Sequence, residues 1–136
     1  MTRRRDQRGL ALSVWTAAAM PGLIITVGLG VDFSGHAAAE QEARAVAAQA
    51  ARAATHEVRV TAAGAALDAP AARRAAVAFL RDAGYDGSAT VTADSTVVSA
   101  HGSYRTLFLG LIGIAAIPVE VTGSARAVAT VDGSEA

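Results

Sequence analysis

"RGLALSVWTAAAMPGLIITVGLGVDFSG", residues 8–35, decides how the rest of the chain is read. Residues 9–31 carry no charge. At a rise of about 1.5 Å each they make a helix of about 34 Å, enough to cross a hydrocarbon core of about 30 Å. Asp32 ends the stretch. A secretory signal usually has an apolar core of only about 7–15 residues, so the length favours a retained span. The alternative is release: "HAAAEQ" offers a small-x-small pattern ending at Ala39, after which signal peptidase would free a small secreted binding module.

Charge sets the expected orientation. Arg3, Arg4, Arg5 and Arg8 precede the span, whereas Asp32, Glu40 and Glu42 come after it before the next arginine, Arg44. The positive-inside tendency then places residues 1–8 in the cytoplasm as a basic tail, with the rest of a single-pass membrane protein outside. Pro21 removes a backbone donor in mid-span and predicts a kink, with Gly22, Gly28 and Gly30 adding local freedom. Gly22 and Gly28 lack GxxxG spacing, so no dimerisation face follows from them.

Composition narrows the function classes. Alanine supplies 35 of the 136 residues, so side chains are small and each buries little area. Net charge is zero and all twelve basic residues are arginine, with no basic patch beyond the N-terminal cluster, which argues against a nucleic-acid partner. The absence of cysteine excludes disulfides, thiolate catalysis and cysteine-ligated zinc.

Beyond the span, residues 32–66 are rich in helix formers, with Glu40 four residues before Arg44, and predict an alanine-rich extracytoplasmic helix. Val46, Ala50, Ala53, Glu57 and Val60 fall close to one face, where only the valines are bulky, so the apolar stripe is thin and suits close packing. A second helix is predicted over 67–84, capped by Asp68, opened by Pro70 and ended at Gly84. Alternation of Ala89, Val91 and Ala93 with polar residues marks a strand, and another follows over 96–104. "TLFLGLIGIAAIP" is uncharged for only fourteen residues, 106–119, too short for a second span. It reads as a short apolar helix near 105–115, either a core element or a surface that docks on the membrane or a partner. In the last strand Ile117, Val119, Val121, Ala125, Ala127, Ala129 and Val131 share a face, and Gly123 suggests a bulge. The expectation is an α+β fold: a small antiparallel sheet over 88–131 packed on helices behind a single transmembrane helix, with a tail at 132–136.

No pattern of catalytic residues emerges. His36, His56 and His101 lie twenty or more residues apart without ligand spacing. The serines Ser88, Ser95, Ser99 and Ser103 lie outside any G-x-S-x-G elbow, and "GLGVDFSG" has neither P-loop nor G-x-G-x-x-G form. The expectation is a non-enzymatic protein with no cofactor, metal or small-molecule substrate.

Taken in order, three segments resemble the TadE/TadG-like proteins of Flp-type (tight adherence) pilus and secretion machinery. They are the Arg8-Gly9, Pro21 and Val31-Asp32 pattern around the apolar run, the alanine-rich "AAAEQEARAVAAQAARAA", and "RTLFLGLIGIAAIPVEVTGSARAVA". The resemblance implies an accessory or minor pilin-like component whose partners are the membrane and other pilus or secretion subunits. It also implies a contact with prepilin peptidase, which in pilin-like members cuts after a glycine; the matching bond here joins Gly9 and Leu10. Those members carry glutamate five residues after the cut, where this chain has Val14, and its Pro21 and Val31-Asp32 pattern looks closer to the uncleaved TadG-like side.

Overall fold

A computed structural model describes residues 3–62, 64–127, 130–131 and 134–135; for residues 3–8, 10, 61, 130–131 and 134–135 the backbone alone is described. The architecture is α+β. Helix α1 (Arg3–Thr55) is followed by strands β1 (Val58–Thr61) and β2 (Gly64–Leu67), helix α2 (Ala69–Asp82), β3 (Asp86–Val91) and β4 (Ser95–Arg105). A 3-10 turn (Leu109–Ile112), β5 (Ala116–Arg126), β6 (Thr130–Val131) and β7 (Ser134–Glu135) complete it. The chain divides into two compact units: Met1–Gly35 with Arg105–Ala116, and His36–Tyr104 with Ile117–Ala136.

The second unit holds the core. Strands β3, β4 and β5 form a sheet in that order, β3 antiparallel to β4 with Ala89 opposite Val98. Against it pack Ala43, Ala47, Ala50, Ala51 and Ala54 of α1, and Ala72, Ala76 and Leu80 of α2. Within this unit the fully buried residues of α1 are thus all alanine, which lets the helix backbone come close to the sheet. A Cβ on Gly123 of β5 would fall on the Ala47–Ala48 peptide. Gly123 therefore marks a point of contact between helix and sheet, where the sequence suggested a bulge.

Several boundaries and faces differ from expectation. The alanine-rich helix stops at Thr55, eleven residues short of position 66, because residues 58–67 pair as a hairpin, Val58 with Leu67 and Thr61 with Gly64. Gly64, at φ 118°, permits the turn, and strand pairing overrides the helical preference of Ala65 and Ala66. Of the expected stripe only Ala50 is fully buried, while Val46 and Ala53 are partly buried and Val60 lies exposed in β1. Between β4 and β5 the expected helix is a four-residue 3-10 turn, closed by Gly113 at φ 94°. The sheet runs over 86–126, and Ala129 lies outside the described residues.

Other signals match the structure. Asp68 caps α2, its Oδ1 accepting from the Ala71 amide at 3.3 Å, with Pro70 in the first turn. Along β5, Ile117, Val119, Val121 and Ala125 alternate with exposed neighbours. Helix α1 passes through Pro21 without a break in helical backbone. Among the described residues it is the one helix long and apolar enough, near the N-terminus, to cross a membrane.

Candidate functional site

Asp32 and the segment joining β4 to β5 form a specific arrangement within the first unit. Asp32 is fully buried at the end of the charge-free run of α1. Its Oδ1 accepts from the Leu107 amide at 2.7 Å, and its Oδ2 from the amides of Phe108 at 2.9 Å and Leu109 at 2.6 Å. Three successive N–H groups thus converge on one carboxylate at the start of the 3-10 turn, as in the anion-binding nests formed by turns. An ionised carboxylate only accepts, so it answers all three donors at once.

Glycine makes room beside this clamp. Gly28 lies one helical turn before Asp32, and the Phe108 ring covers it: a Cβ there would stand 2.6 Å from Phe108 Cδ1. Next to this contact, a groove of about 170 Å³ runs between Ile24, Ile25 and Leu29 of α1 and Phe108, Leu111 and Ile112 of the loop. Its walls are aliphatic and aromatic.

Several of the loop's other polar groups bond within it. Thr106 N–H donates to Ala115 O at 3.2 Å, Leu111 N–H to Phe108 O at 3.0 Å, Gly113 N–H to Gly110 O at 3.2 Å and Ile114 N–H to Leu109 O at 3.0 Å. The Thr106 hydroxyl donates to Ile114 O. Leu109 is buried and the Phe108 ring lies on Gly28, whereas three other large side chains point outward: Leu111 is 82% exposed, Ile112 74% and Leu107 66%.

Of the residues singled out in the sequence, Asp32 is the one brought into a constellation. Neighbouring Val31 is 38% exposed on the helix surface. Gly9, Val14 and Pro21 are exposed on α1. The side chains of Arg3, Arg4, Arg5, Arg8 and Leu10 lie outside the described residues. Ala39, the alternative cleavage position, is inside α1 and packs against the core. The amides of residues 107–109 were missed, since backbone donors have no sequence signature. The available signal was an aspartate closing one apolar run and a second charge-free run with no polar partner of its own.

The described residues of the second unit line polar clefts. An open cleft of about 550 Å³ is lined by Glu42, Tyr85, Asp86, His101 and Ser103. Burial, helped by Glu42, pushes the Tyr85 hydroxyl above its ordinary range, so at neutral pH it is a neutral phenol. His101 Nδ1 lies 3.9 Å from Glu120 Oε1, both exposed, and His36 Nε2 lies 3.2 Å from Pro118 O. Among the described residues no group of three or more His, Asp or Glu is placed to hold a metal ion. No family model, curated protein or solved structure matches this chain.

Proposed function

We propose that this chain is a non-enzymatic, membrane-anchored component of a Flp-type (Tad) pilus or related secretion system, an accessory or minor pilin-like subunit of the TadE/TadG-like kind. In this reading α1 crosses the cell membrane once. Its arginine-rich N-terminus is cytoplasmic and its other end extracytoplasmic, as the charge asymmetry favours.

The Asp32 clamp is the observation that carries the proposal. Two of the motifs that carry the resemblance, Val31-Asp32 and "TLFLGLIGI", lie about 75 residues apart. Three hydrogen bonds join them, so they act as one device. Release after Ala39 would cut within α1 and discard Asp32, leaving the loop amides without their acceptor. That consequence favours a retained anchor over a secreted module.

Affinity purification of the tagged full-length protein from cross-linked native membranes tests the proposal. Recovery of pilus or secretion-system subunits, with the bait at full-length mass, is expected. Recovery of none of them, or a bait beginning at Glu40, would overturn it.

A further inference from the structure

We infer that the apolar loop, residues 107–114, is embedded in the lipid of the leaflet at the C-terminal end of the span, a second membrane contact beside the helix itself. This rests on α1 crossing the membrane but not on the pilus role.

Position is the first argument. The loop packs on Ile24, Ile25, Gly28 and Leu29, all within the charge-free residues 9–31. Ile24 lies eight residues before Asp32, which is about 12 Å along a helix, so the loop overlaps the last third of the apolar run. Wherever that part of α1 is in hydrocarbon, the loop beside it is too.

The second argument is polar satisfaction. Irregular backbone tolerates hydrocarbon only where its N–H and C=O groups are answered within the protein. Here the amides of Leu107, Phe108 and Leu109 are answered by Asp32, and those of Thr106, Leu111, Gly113 and Ile114 by loop carbonyls. The segment's polar side chain, Thr106, is bonded to Ile114 O.

Outward chemistry is the third. Leu107, Leu111 and Ile112 face away from the protein, continuous with the exposed Ile24 and Ile25. Protein interfaces usually surround an apolar centre with a polar rim. Residues 107–114 offer no polar side chain to build one, whereas acyl chains require none.

The chain contains no cysteine, so one introduced thiol carries a probe unambiguously. Leu111→Cys, Val14→Cys within the charge-free run of α1 and Thr122→Cys on the exposed face of β5 are each labelled with the fluorophore NBD. The full-length proteins are then reconstituted in phosphatidylcholine vesicles. With the label at 111, as at 14, fluorescence should be quenched several-fold by lipids bearing a nitroxide on the acyl chain and shielded from aqueous iodide; with the label at 122 the reverse is expected. Iodide quenching at 111 with lipid quenching at 14 would overturn the embedded loop while leaving the anchor intact. Iodide quenching at both would remove the anchor reading and the loop with it. Shielding at 111 without lipid quenching, lost as protein is diluted into lipid, would assign the surface to a second copy and also overturn the inference.

Discussion

Replacing Asp32 by asparagine separates the three bonds of the clamp from one another. The amide has one acceptor oxygen where the carboxylate has two. Placed at Oδ2, that oxygen keeps Phe108 and Leu109, and the NH2 group then faces the Leu107 amide, donor against donor at the present 2.7 Å. The flipped rotamer keeps Leu107 alone and opposes two donors, so the first is preferred. The retained bonds weaken as well, since neutral hydrogen bonds are about half as strong as charge-assisted ones. Amide exchange measured by NMR in one detergent should therefore show a graded pattern. Exchange at Leu107 should accelerate by about ten- to a hundredfold, and at Phe108 and Leu109 by about tenfold or less. Asp32→Ala should accelerate all three by the larger factor. Equal, small changes at all three positions in Asp32→Asn would refute the clamp as drawn.

Two further substitutions test the second unit. Gly123→Ala places its methyl on the Ala47–Ala48 peptide, where backbone and not a movable side chain must give way; a loss of about 3 kcal/mol or more in chemical denaturation is expected. A loss below about 1 kcal/mol would show that the sheet and α1 are not in close contact there. At Asp68, the Arg59 guanidinium at 2.5 Å, with the Ala71 amide, holds the carboxyl below its usual range. A lowered folded-state value means this contribution is complete above the unfolded value of about 4 and is lost as pH falls through the folded one. Asp68→Asn should thus flatten the acid limb of the stability curve below about pH 4 and leave its slope at neutral pH unchanged; an unaltered acid limb would refute the assignment.

The elements legible in the sequence are those with a chemical reason in one residue. Asp68 and Pro70 opened α2, Gly84 closed it at φ 81°, and the alternation from Ile117 to Ala125 gave β5 its inner face. The helix face could not be read so easily. With alanine at most positions of 43–54, hydrophobicity hardly distinguishes one side from another, and only packing in the folded core selects Ala43, Ala47, Ala50, Ala51 and Ala54. Residues 65–67 are strand because Val58 and its neighbours pair with them, a tertiary cause acting against local preference. For the candidate site, Asp32 was conspicuous and its partners were not, because a backbone amide looks the same in every residue but proline.

The two units call on different physics to hold chain segments to α1. Over residues 36–55 the cause is burial, with alanine-faced helix against Val98, Val119 and Val121. Burial drives such contact because water is the competing solvent. A loop lying in hydrocarbon has no such drive, since acyl chains cover Leu111 or Ile112 as well as a helix face does. Close van der Waals fit remains, and the Phe108 ring over Gly28 supplies some of it. What lipid cannot replace is a hydrogen-bond acceptor, and three unpaired amides there would cost several kcal/mol each. A carboxylate at Asp32, beside the apolar run, is therefore the kind of residue that can tie this loop to this helix, and a leucine of similar bulk is not.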